Sequence, residues 1–195
     1  MKRVATMMLV GVCAISLAAW AQQTQPAKPA AKQPAKAAPQ MPTPGPEHKR
    51  LAYWAGTWTA TAEVKESLFG PAGTVTSTDT NEWLPGGFFL VTRSKEKGPM
   101  GDSQGMAFMG YDPEEKVYVY YAISSAGYSV HAKGTVTGKT WNWSSDSKMG
   151  GKPVKSKYTA TEVSPSAYSY KFETSTDGGK TWTNVMEGKA TKAGK

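Results

Sequence analysis

Two histidines, one cysteine and scattered carboxylates are the groups from which this chain would have to build reactive chemistry. A metal centre needs His, Cys or carboxylate ligands that converge. His48 and His131 are far apart, and neither has a partner at ligand spacing. His48 reads as a cap or packing residue on an opening helix. His131 reads as outward-facing, between Ser129 and Lys133, so a haem held through it is not expected. There is no Gly-x-Ser-x-Gly elbow and no assignable Ser-His-Asp set. Asp79 and Glu82 could pair for general acid–base work. Their spacing of three puts them on opposite faces of a strand, and they read as surface carboxylates. The sequence therefore predicts a non-catalytic protein without metal or cofactor.

Ser175-x-Asp177-x-Gly179-x-x-Trp182 has the Asp-box pattern. Its physical content is a tight hairpin: the Asp side chain bonds turn amides, Gly179 supplies permissive dihedrals and the Trp packs beneath. A propeller would need the motif repeated in every blade. One copy reads as a structural turn.

The remaining signal is aromatic and thioether. Trp83, Phe88, Met106, Phe108, Tyr118, Tyr120, Trp141 and Trp143 lie on what read as central strands. In a small barrel such side chains either fill the interior or line a cavity for an apolar or amphipathic ligand. Trp and Tyr also bring polar tips that orient a ligand.

The elements that must position these residues are strands. Trp58, Ala60, Ala62 and Val64 alternate with polar residues, as do Tyr128, Val130 and Ala132, and Tyr168, Tyr170 and Phe172. One buried face and one wet face is the pattern of antiparallel sheet. Phe88 to Val91 and Val117 to Ile123 are apolar on both faces. They are expected centrally, covered outside by the terminal helix or a partner. Turn signals such as Pro85-Gly86-Gly87, Asp112-Pro113, Gly150-Gly151 and Asp177-Gly178-Gly179 divide the chain into about eight to ten strands, an all-β meander. Its edges must be closed or covered. Pro46 to Ala55 reads as a short helix that plugs one end through Leu51, Tyr53 and Trp54. Lys95–Gly105 and Ser145–Lys155 are polar and Gly-rich, and are expected as mobile rim loops.

These motifs, taken in order, resemble a known family. Glu47-His48 with Leu51, Gly56-Thr57-Trp58, Gly86-Gly87-Phe88-Phe89-Leu90, Gly110-Tyr111-Asp112-Pro113 and the hairpin ending at Trp182 resemble a bacterial family of unknown function, over about Glu47 to Thr191. That family is regarded as lipocalin-like (calycin-type), and many members are secreted. The resemblance implies a lipocalin-like barrel or half-barrel and no established activity. Lipocalins often set a basic residue of the last strand over the Gly-x-Trp tryptophan, and Lys189 is the expected equivalent.

Residues 1–21 read as a signal peptide, with Lys2 and Arg3 before an apolar run and Ala19-Trp20-Ala21 as the cleavage site. The run is short of the ~20 residues of a membrane span. Cys13 lies within it, so the mature chain would have no thiol. Residues 22–45 are rich in Pro, Ala and Lys and read as a disordered tether, with a weak envelope contact through Lys28, Lys32 and Lys36 as its alternative role. Residues 46–195 form the expected barrel domain. Lys2, Arg3, Lys28, Lys32 and Lys36 precede every acid, leaving the folded part +3 of the formal +8. Its charges interleave, which argues against nucleic acid. The expectation is a secreted or periplasmic barrel that binds a small apolar or amphipathic molecule. The alternative is an envelope-associated interaction protein without a pocket.

Overall fold

Residues alternating between small apolar or aromatic and polar types from Trp58 onward form strands because each face then meets the environment it suits. A computed structural model describes residues 41–194. The expected leader, and the expected tether up to residue 40, lie outside the described residues. The domain opens with helix α1 (Pro46–Arg50), a 3-10 turn (Leu51–Tyr53) and then ten strands. They are β1 (Gly56–Val64), β2 (Gly73–Trp83), β3 (Phe89–Gly98), β4 (Gly101–Asp112) and β5 (Val117–Ser124). β6 (Ser129–Thr137), β7 (Thr140–Met149), β8 (Lys152–Ser164), β9 (Ala167–Ser175) and β10 (Thr183–Lys192) follow.

Each strand pairs antiparallel with the next, and β10 returns to β1. The seam runs from Trp58 opposite Lys192 to Val64 opposite Met186. The barrel is thus fully closed, and no strand edge remains to recruit another chain. Lys95–Gly105 and Ser145–Lys155 depart from expectation. Both are strand-built hairpins, β3–β4 turning at Pro99-Met100 and β7–β8 at Gly150-Gly151. Backbone ladders hold them, so apolar anchors are not needed there.

One end of the interior is solid. Leu51 and Trp54 enter from the plug and meet Trp58, Leu90, Tyr118, Trp141 and Tyr168 in one buried cluster. Trp54 packs edge-on against Trp141 and Tyr168, with ring centroids 5.3 and 4.9 Å away. The plug's last carbonyls, orphaned at any helix end, are taken up by the barrel. The Trp54 carbonyl accepts from Trp58 Nε1 (2.8 Å) and Asn81 Nδ2 (2.9 Å). The Tyr53 carbonyl accepts from Lys192 Nζ (3.0 Å). On the far side Arg50 pairs with Glu162, which also accepts from Trp141 Nε1 at 2.6 Å. His48 is buried; its Nδ1 accepts the Gly45 N–H (3.2 Å), and its ring meets Phe88 and Tyr111 edge-on.

Candidate functional site: the barrel cavity

Above the plug the interior is not filled. A cavity of about 380 Å³ lies between the plug and the opposite mouth. Strand register builds its walls in layers. On β2 and β3 the inward positions pair as Asn81 with Thr92, Asp79 with Ser94 and Ser77 with Glu96, in order away from the plug. Facing them stand Tyr120, Trp143, Tyr158 and Tyr170, with Trp54 and Trp58 at the floor. Two glycines let the rings lie against the wall. A Cβ on Gly134 would sit 2.5 Å from the Trp143 ring, and one on Gly188 would sit 2.8 Å from the Tyr170 ring.

The electrostatics are one-sided. Burial, reinforced by the nearby Glu96 charge, lifts the Asp79 carboxyl to about 6 against the pull of its Ser77 hydrogen bond (3.4 Å). Burial also raises Glu96. Desolvation, then the charge of Asp79, pushes the Tyr170 hydroxyl up to about 12 and raises Tyr120. Among the described residues, no Lys, Arg or His lines the cavity. Asp79 therefore differs from its expected place as a surface carboxylate. β2 is polar on both faces, and its inward face is marked only by Val75 and Trp83 at either end. Glu82 does face solvent, beside Arg93.

The aromatic set divides. Tyr120 and Trp143 line the cavity. Tyr118 and Trp141 are buried in the packed end, where Tyr118 donates to the Glu47 carbonyl (3.3 Å). Phe88 packs on His48, and Trp83 has inward parity but lies at the strand end, 37% exposed. Met106 and Phe108 are corrections: they point outward, 37% and 40% exposed, because Gly105, Ala107 and Met109 take the inward positions of β4. With Tyr121 and Ile123 they stand on the outer face of β4–β5, which the described helix α1 does not cover. His131 is outside and stacks flat on Tyr121, centroids 4.5 Å apart. Glu96 and Tyr158 were missed by the sequence reading, whereas Tyr170 was placed on the buried face of its strand but not in the cavity. Register brings in Tyr158, whose partner Phe172 shares its face.

The Asp-box turn forms as expected. Asp177 accepts from the Thr181 hydroxyl (2.6 Å), the Ser175 hydroxyl (2.7 Å) and the Thr181 and Lys180 amides (3.0 and 2.9 Å), which hold its carboxyl far below the usual range. Trp182 Nε1 donates to the Gly179 carbonyl (3.0 Å), and Lys157 Nζ lies 3.7 Å over its ring.

A family model described as "Protein of unknown function (DUF1579)" matches residues 43–192. The chain belongs to the DUF1579 family. No curated protein sequence matches this DUF1579 chain. Solved structures with the same fold include the following two. Rv2717c from M. tuberculosis aligns with a TM-score of 0.53 at 9% identity, over 77% of this chain and 99% of that one. The S-type phycobiliprotein lyase CPES from Guillardia theta aligns with a TM-score of 0.52 at 8% identity, over 75% and 92%. At such identities the likeness concerns the fold alone, and that fold is a lipocalin-like barrel.

In the DUF1579 chain the basic residue over the Gly-x-Trp tryptophan is Lys192, not Lys189. Lys192 Nζ stands 4.8 Å from the Trp58 ring centre. Lys189 pairs with Thr61 and points out. The inward face of β10 carries Met186, Gly188, Ala190 and Lys192, so parity excludes Lys189.

Proposed function

We propose that this domain binds a small amphipathic molecule inside the barrel, without chemical turnover. The observation that carries this reading is the cavity of about 380 Å³, open above a packed aromatic plug. Its size falls in the range of small-molecule sites, and it combines apolar rings with a few placed polar groups, as such sites do. A barrel evolved only as a scaffold gains stability by filling its interior, as this one does at the plug end. The lyase among the structural neighbours lends the fold and no reaction.

Native mass spectrometry of protein purified from its own host tests the reading. The expected result is a bound organic species that Ala132→Phe, a replacement filling the cavity wall, displaces. A ligand-free wild type with no affinity for apolar dyes overturns it.

We further propose that residues 1–21 direct export and that residues 22–45 tether the barrel in the envelope. Fractionation should find the full chain outside the cytoplasm, and deletion of Gln22 to Gly45 should release it into the soluble fraction. A cytoplasmic full chain overturns the first proposal, and unchanged fractionation the second.

A further inference from the structure

The cavity has a charge of its own, and no Lys, Arg or His among its described lining residues answers it. The inward-facing Lys192 gives its ammonium to the Tyr53 carbonyl and the Trp58 ring. Asp79 and Glu96 both face inward on neighbouring rungs, Asp79 opposite Ser94 and Glu96 opposite Ser77. That register makes them diagonal neighbours on one face, with backbones ~7–8 Å apart. Neither belongs to an ion pair among the described residues. The basic residues of the same strand, Arg93, Lys95 and Lys97, alternate with the inward residues and point outside. A carboxylate taken from water without a counter-charge is costly, and two of them repel each other. The wall facing them is made of rings whose π-faces attract cations.

We propose, resting on the reading that the cavity binds a small molecule, that its ligand is an organic cation: an amine or quaternary ammonium head between Asp79 and Glu96, with an apolar body against Trp143 and Tyr120. The head supplies the missing counter-charge, and the body displaces water from the apolar floor. A metal ion fits less well. Among the described residues no three His, Cys, Asp or Glu side chains converge, and a hard cation takes six or more oxygen ligands. A second, independent feature also marks the floor. Trp54 is 6% exposed and lines the cavity, yet its indole N–H has no acceptor among the described residues. Leaving a buried donor unpaired is unfavourable. A ligand whose far end carries an ether, carbonyl or hydroxyl oxygen would satisfy it.

Calorimetric titration of the full chain with three matched probes tests this. They are naphthylmethyl-trimethylammonium, its neutral tert-butyl isostere and naphthylacetate. The expected result is binding of the cation at least about tenfold tighter than the isostere, with the anion weakest of the three. Asp79→Asn/Glu96→Gln should erase the preference while the neutral probe still binds and the melting transition stays cooperative, which shows that the variant remains folded and open. Each single variant should lose part of it. Equal affinity for cation and isostere, or a preference that survives in the double variant, overturns the cation proposal and leaves the binding reading standing. Failure of all three probes to bind overturns both.

Discussion

Asp79 is the residue whose behaviour most separates this cavity from an ordinary core. Its folded carboxyl holds a proton to about pH 6, whereas the ordinary value is 3.8. Between those values the native state binds more protons than the unfolded chain. The contribution to stability is therefore fully present below 3.8, declines as pH rises through about 6, and is gone above it. Asp79→Asn removes the burial of charge, so it should stabilise the domain in mildly alkaline buffer, by up to roughly 2 kcal/mol, and leave it unchanged in acid. Thermal melts of both proteins across this range check it. A variant equal to or weaker than wild type at alkaline pH contradicts the assignment. Tyr120 and Trp143 were legible in the sequence, Trp143 by alternation around Asn142 and Tyr120 as an aromatic residue of a strand apolar on both faces. Asp79 was not, because a carboxylate among threonines gives no sign of which face is buried. Lys192 was missed for want of register: only the pairing of β10 with β1 shows which lysine reaches Trp58.

At the level of elements, the plug is fixed by polar clamps around an aromatic core. Glu162 carries one of them, since it receives both the Arg50 guanidinium and the Trp141 indole N–H. Glu162→Ala leaves a half-buried cation and a buried donor without partners, at a cost of roughly 2–3 kcal/mol. Glu162→Gln keeps an acceptor for Trp141 and should lose about half as much. Urea midpoints of the two variants decide the matter, and equal losses would remove Trp141 from the account. The helix, the Gly-x-Trp entry and the Asp-box turn were all readable, because each is a local device of a few residues. The β3–β4 and β7–β8 hairpins were not. In β3–β4 the inward positions are Ser, Glu and Gly, and in β7–β8 Ser145, Ser147 and Ser156 interrupt the apolar face around Val154, so the alternation that betrays a strand fades where the interior becomes polar.

The domain of the described residues is a barrel with two unlike ends, one sealed by rings and one leading into an acidic cavity. Its class and approximate strand number follow from period and turns. Its closure is a property of the circuit, and no single strand reveals it. Met106, Phe108, Tyr121 and Ile123 stand on the outside of β4–β5, and a strand with apolar residues on both faces does not say which face will be covered. Ile123→Lys and Phe108→Glu should each change the unfolding free energy by less than about 0.5 kcal/mol, as surface substitutions do. Denaturant titration checks this, and a larger loss would mean that the face is covered in the native protein.

The seam between β1 and β10 has a consequence in time. The Thr59 and Thr191 hydroxyls lie 3.4 Å apart across it, though 132 residues separate them along the chain. The first strand to be synthesised must wait for the last before its open edge is occupied. Such distant pairing slows folding, because the entropy of closing the longest loop is lost before any contact rewards it. A chain ending at Trp182 lacks the closing strand and should associate through the edges of β1 and β9, which sedimentation would detect as oligomers. Ala193 N donates to the Thr57 carbonyl (2.8 Å), so the two ends of the domain finish side by side. Joining them and cutting the chain at the Gly150-Gly151 turn would make the seam an interior pairing, and refolding would no longer depend on the extremities finding each other.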